Sequence, residues 1–248
     1  MTHLKWASAF FCLAVTMNAF AGDWVTLPQQ IVAMVDVDAD GKVVEVKPLR
    51  DDLGAKLAES AGIAIRGWTF EPARRNGANV SARTYVDLAI EARKAGEAYD
   101  FRFRYLGNGP TYGDKRYPPT YPKTMISGRI EATVVYSARV MPDGTLQDIE
   151  VESARTTDGR SARLFAVAGK NAAMRWGARP ELVGGEPIAT QVRFPIRFRL
   201  HPLGDHGPGT PDAQLKISSD SPVTAQTPPA GEDMPIATDS PLRPKPGA

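Results

Sequence analysis

Residues 132–151 run ATVVYSARVMPDGTLQDIEV. Val134, Tyr136, Ala138 and Val140 fall on alternate positions, the period of a half-buried strand. Asp143-Gly144 interrupts the pattern, and Leu146 to Val151 forms the next strand. An Asp-Gly pair between two such runs predicts a two-residue hairpin, because that turn wants positive φ where glycine meets no steric cost. Further on, residues 161–175 are helical in character and end at Trp176, with Pro180 four residues later and a Gly184-Gly185 turn. The closing strand runs from Ile188 through Val192, Phe194, Ile196 and Phe198 to Leu200.

The same order occurs once before. Ile31 to Val37 alternates up to Asp40-Gly41, Val43 to Val46 follows, and a helical stretch from Lys56 to Arg66 leads to Trp68-Thr69-Phe70-Glu71-Pro72. Gly77 marks a turn and Val80 to Ile90 alternates again. The Asp-Gly pairs are 103 residues apart, whereas Trp68 and Trp176, Pro72 and Pro180, and Gly77 and Gly185 are all 108 apart. A five-residue insertion near Thr156 to Arg160 accounts for the difference. The closing strands then align apolar on apolar: Val86 with Phe194, Leu88 with Ile196, Ile90 with Phe198. The expected class is α+β, with two tandem β-β-α-β units, each a three-stranded antiparallel sheet carrying one helix. Units of about 70 residues bury only about 60% of their unfolded surface, so the two are expected to pack together.

Around these units the 248 residues divide further. Residues 1–21 hold Lys5, an apolar run from Trp6 to about Met17 and an Ala19-Phe20-Ala21 pattern, which reads as a cleaved secretory signal peptide. The run is short for a bilayer span of about 20 residues, so a periplasmic location is expected over an inner-membrane anchor. Residues 22–93 and 121–200 are the two units, and 94–120 is a connector holding Phe101-Arg102-Phe103-Arg104-Tyr105, an alternating aromatic and basic strand, and a Gly107-Asn108-Gly109-Pro110 turn. Five of the seven tyrosines lie between Tyr99 and Tyr121. Residues 201–248 carry ten of the 21 prolines and no aromatic residue, the composition of a disordered or polyproline-like tail. The net charge of +2 averages −3 for 22–100, +7 for 101–200 and −3 for the tail.

Most site chemistry is excluded by composition. The one cysteine, Cys12, lies in the leader, and the three histidines are His3, His201 and His206, all outside the two units. Thiolate catalysis, disulfides and histidine bases therefore have no material, and neither a G-x-S-x-G elbow nor a phosphate loop is present. Asp36-Val37-Asp38-Ala39-Asp40-Gly41 opens like a calcium loop, but its twelfth position is Lys47 instead of Glu and no helix precedes it. No enzyme activity, metal, cofactor, small-molecule substrate or nucleic acid is inferred.

The second unit resembles the TonB C-terminal domain family. Tyr121-Pro122 is followed at the family's spacing by Ile130-Glu131-Ala132, Asp143-Gly144, Arg175-Trp176 and Pro180. Ala132 stands where the family has Gly, and Ala178 where it has Phe or Tyr, while Trp68-Thr69-Phe70-Glu71-Pro72 supplies an intact version in the degenerate first unit. The resemblance implies capture of a short segment of an outer-membrane receptor as an added β-strand, in TonB-dependent transport. Under it, the partner-binding set is Arg193, Phe194, Pro195, Ile196, Arg197, Phe198 and Arg199 of the closing strand, with Tyr121 and Pro122. Pro195 fits an edge strand, since proline cannot donate to a ladder, and the three arginines favour an acidic partner. The same features also guard an edge against aggregation. Two other readings stand beside this one: a membrane-anchored energy transducer, and a structural envelope protein that forms a homodimer through its edges. Trp68 and Trp176 are expected as core anchors.

Overall fold

The computed structural model describes residues 24–49, 55–96, 98–113, 117–200, 224–226 and 237–245. The expected leader at 1–21 lies outside them. In the first unit β1 (Val25–Val37) pairs antiparallel with β2 (Val43–Pro48). Then come α1 (Ala55–Arg66), a small hairpin of β3 (Ala73–Arg75) and β4 (Ala78–Val80), and the long closing strand β5 (Ala82–Ala95). Alternation puts Ile31, Ala33, Val35 and Val37 inside, and Leu57, Ala61 and Ile65 of α1, spaced by four, cover them. Fully burying each Ile, Leu or Val here contributes roughly 1.5–3 kcal/mol.

The chain then departs from expectation. Through Gly96 it turns into β6 (Ala98–Gly109), which pairs with β5 from Ala95↔Ala98 to Tyr85↔Gly109. The expected strand at 101–105 is thus part of a longer one in the first unit's sheet, which among the described residues has seven strands and not three, two of them from residues 182–187 and one from 224–226. Phe101 and Phe103 are the reason: both are buried in the same cluster as Ile31 and Leu88. On the other face, burial would push the Glu91 carboxyl up, but hydrogen bonds from Arg104 and Arg102 outweigh that and hold it below its usual range. Trp24 lies under the guanidinium groups of Arg93 and Arg102.

A short strand β7 (Thr111–Tyr112) and the one-turn helix α2 (Lys123–Ser127) lead into the second unit. In chain order this unit holds β8 (Ala132–Val140), β9 (Leu146–Thr156), α3 (Arg163–Ala173), three short strands β10 (Ala178–Arg179), β11 (Leu182–Val183) and β12 (Glu186–Pro187), and β13 (Thr190–Phe198); its sheet is β13-β8-β9, while β11 and β12 join the sheet of the first unit. β8 is central, flanked by β13 and β9, and β10 pairs with β7. Tyr136, Phe165, Phe194 and Phe198 fill the core under α3. Burial pushes the Tyr136 phenol up to about 12, and its hydroxyl donates to the Ala166 carbonyl oxygen at 2.8 Å.

The Asp-Gly turns are longer than two residues. Asp38 N–H donates to Lys42 O at 2.9 Å, and Met141 N–H to Thr145 O at 2.9 Å, which encloses three residues with Gly41 (φ +87°) or Gly144 (φ +82°) last. This is the three-residue form with its glycine in the left-handed region. The extra residue serves a tertiary purpose. Phe70 N–H donates to Gly41 O at 2.7 Å and Ala178 N–H to Gly144 O at 2.8 Å. A Cβ on either glycine would lie 2.1 Å from Phe70 O or 2.3 Å from Ala178 O. Asp38 accepts from the N–H groups of Asp40 and Lys42, so it caps its own turn.

The two units meet along a polar seam. β11 pairs with Ala82 and Arg83 at the start of β5, and Arg75 reaches Val183 O and the Glu186 carboxylate. Glu181 is fully buried there and accepts from Thr84 Oγ1 (2.6 Å), Ser240 Oγ (2.7 Å) and Thr190 Oγ1 (3.1 Å). Burial raises its carboxyl above the usual range. Ser240 belongs to the expected disordered tail, whose described parts are hydrogen-bonded to the two units. β14 (Thr224–Gln226) pairs parallel with β6. Leu242 is buried in the first unit's core, with its carbonyl accepting from Asn108 Nδ2 at 2.9 Å. One apolar side chain and a ready backbone partner suffice to hold a proline-rich segment that composition alone assigns to solvent.

Candidate edge-strand docking site

The closing strand β13 pairs with β8 along its whole length, from Thr190↔Val140 to Phe198↔Ala132. Its even positions Val192, Phe194, Ile196 and Phe198 are buried, and the odd positions Arg193, Pro195 and Arg197 are half-buried or exposed. The backbone alternates too. Gln191 turns its N–H to Asp239 Oδ1 (2.6 Å) and its C=O to Thr238 N–H (2.9 Å), both on the side away from β8. With a period of two, Arg193, Pro195 and Arg197 present their backbone groups to that same outer side. Pro195 therefore stands where no donor is needed for the β8 ladder, and it removes one donor from the outer edge.

Of the sequence-derived set, Arg193, Pro195 and Arg197 lie on this edge. Phe194, Ile196 and Phe198 act from inside: their backbone faces β8 and their rings and methyls hold the core. The arginines differ among themselves. Arg193 pairs with Glu152 on β9 and Arg199 with Glu131 at 2.9 Å, while Arg197 has no ion-pair partner among the described residues. Tyr121 is packed away from the edge. Its ring meets Phe165 and Phe198 edge-on at 5.5 and 5.7 Å, and its hydroxyl donates to Ile130 O at 2.7 Å. Burial, with the Glu131 charge nearby, pushes that phenol up. Pro122 precedes α2 and enters no groove contact.

A groove of about 360 Å³ runs beside the edge, lined by Tyr117, Pro118, Pro119, Trp176, Pro195, Ile196 and Arg197. The Trp176 indole N–H donates to Tyr117 O at 2.7 Å, which ties the Tyr117-Pro118-Pro119 entrance to the end of α3. Trp176 itself is 4% exposed, so it is chiefly a core residue with one edge in the groove. Pro118 and Pro119 escaped the sequence reading, which weighed Tyr117 and the Tyr-Pro pair at 121 and 122. Among the described residues no cluster of His, Cys, Asp or Glu could hold a metal. The site offers backbone donors and acceptors, a free cation and an apolar trough, the materials for taking an extended acidic peptide as a further strand.

Comparison with known proteins bears on the same segment. Residues 117–200 match the family described as Gram-negative bacterial TonB protein C-terminal. Among solved structures the solution NMR structure of the Pseudomonas aeruginosa TonB C-terminal domain matches at 23% identity and a TM-score of 0.32, covering 38% of this chain and 89% of that one. No curated protein matches.

Proposed function

We propose, from the premise that residues 117–200 belong to the TonB C-terminal family, that this chain is an envelope protein whose second unit captures a protein partner by strand addition. The family is one of non-enzymatic protein-interaction domains, and no described helix is long and apolar enough to cross a membrane. The incoming segment pairs with the outward backbone groups of Arg193, Pro195 and Arg197, sets an acidic side chain against Arg197 and lays an apolar one in the groove. An outer-membrane receptor in the periplasm is the partner that the family favours. The first unit is a related copy whose corresponding edge is closed by β6.

One observation carries this reading: the edge of β13 from Arg193 to Phe198 has no strand partner among the described residues, with an unpaired arginine and a groove beside it. A photoreactive residue in place of Arg197, crosslinked in intact envelope, tests it. Recovery of an outer-membrane receptor is the expected result. Recovery of this chain alone would replace the reading with self-association through the same edge.

A further inference from the structure

The outer edge of β13 is not wholly free. Ala237 forms an antiparallel bridge with Val192, Thr238 N–H donates to Gln191 O at 2.9 Å, and the Asp239 carboxylate takes the Gln191 N–H at 2.6 Å. On its other side Ala237 N–H donates to Asn108 O of β6 at 3.1 Å. Ala237 and Thr238 thus stitch the edge of one sheet to the edge of the other.

Two further features mark this as a built contact. The first is Gly109, at φ +147°: a Cβ there would lie 2.5 Å from the Ala237 Cβ. The Gly107-Asn108-Gly109-Pro110 stretch, read from sequence as a turn, is where the strap crosses β6. The second is the anchor that follows. Ser240 bonds Glu181, Leu242 is buried, Arg243 O accepts from Glu71 N–H at 2.8 Å, and Lys245 N–H donates to Thr69 O at 2.9 Å.

We infer that residues 237–239 are an intramolecular competitor for the docking edge, held in place by the anchor at 240–245. This rests on the strand-addition reading above and names how that site is regulated. With the strap in place, Gln191 is spent, and an incoming strand has only the outward groups of Arg193, Pro195 and Arg197. Because Pro195 has no N–H, that row lacks a donor at its centre. Displacing the strap adds the Gln191 N–H and C=O, which lengthens the available edge at the end where no proline interrupts it. An acidic partner meets the same contest in charge, since Asp239 already places a carboxylate on β13. The edge contacts and the anchor fall on different residues, so the first can be removed while Leu242 keeps its place.

The test compares the full chain with its Thr238→Pro/Asp239→Ala variant, using a soluble designed peptide of alternating Glu and Thr as the incoming strand. Losing the Thr238 and Asp239 hydrogen bonds to Gln191 that the peptide must otherwise displace predicts about fivefold tighter binding by the variant or more. Hydrogen exchange should show the Gln191 amide unprotected in the free variant and protected again with peptide. Asp239→Ala alone gives a smaller gain in the same direction. Equal affinity of the two chains, with peptide protection at Arg193 and Arg197 in both, overturns the competitor and leaves strand addition standing. A peptide that protects no amide of β13 in either chain overturns strand addition, and the competitor with it.

Discussion

The two closing strands, β5 and β13, share an inner row and differ at their outer edge. Val86, Leu88 and Ile90 are buried as deeply as Phe194, Ile196 and Phe198. Beyond β5, however, β6 continues the sheet, and both edges of β5 are paired from Tyr85 to Ala89. Pro195 of β13 corresponds at the 108-residue offset to Asp87, which pairs with Val32 on one side and Gly107 on the other. A proline at an open edge and a residue with an N–H at a closed one follow from the same rule. Core-forming rows therefore say what folds, and edge rows say what remains able to bind.

The largest effect that separates the two strands should come from proline at equivalent places. Ala89→Pro breaks a ladder between Gln30 and Arg104 and is expected to cost about 3 kcal/mol or more. Arg197→Pro, on the open edge, should change denaturant stability by less than about 1 kcal/mol while it abolishes peptide binding. Equal destabilisation by both would mean that β13 has a hidden partner. Next in size, Leu242→Ala empties a buried position in the first unit, and a loss of about 2–4 kcal/mol in urea unfolding is expected. A loss near zero would show that the strap is not anchored there.

The Glu181 seam lies where the two strands begin, between Thr84 and Thr190. Its carboxyl is raised by burial above the ordinary value of 4.5, so the folded state holds the proton more tightly than the unfolded one. The associated stability is complete in acid and is lost as pH rises from about 4.5 through the raised folded value. Glu91 has the opposite sign: its lowered carboxyl contributes stability near neutrality that is lost as pH falls through its folded value. Thermal melts across pH should show Glu181→Gln removing the first slope and leaving the second. An unchanged profile would mean that Glu181 is ionised in the fold. Smallest of all, Glu152→Gln should cost no more than about 1 kcal/mol, because its pair with Arg193 is partly exposed. A gain in affinity for the acidic peptide would accompany it if freeing Arg193 strengthens the edge.

Much of the second unit was legible in advance. Alternation marked β8, β9 and β13, Trp176 marked the end of the helix, and Arg193, Pro195 and Arg197 stood out by type and spacing. For Tyr121 the sequence left two placements open, because a tyrosine beside a proline looks alike whether its ring packs inward or lines a groove; the Phe165 and Phe198 rings that it meets lie 44 and 77 residues away in sequence. Pro118 and Pro119 carried no such signal, since they become a wall only when the Trp176 indole holds Tyr117 in place. Gln191 carries no signal at all, because its contribution is a backbone N–H and C=O that every non-proline residue has.

Local periodicity in the sequence determined the elements, their inner faces and the two glycine turns, since burial of alternate or four-spaced apolar residues is written in the side chains. Which edges stay open was decided only in the tertiary structure. β6 closes one edge and the strap at Ala237 to Asp239 trims the other, and both act through main-chain hydrogen bonds between residues distant in sequence. Such pairing is demanded of every buried backbone group, but side chains alone do not say which segment will satisfy it.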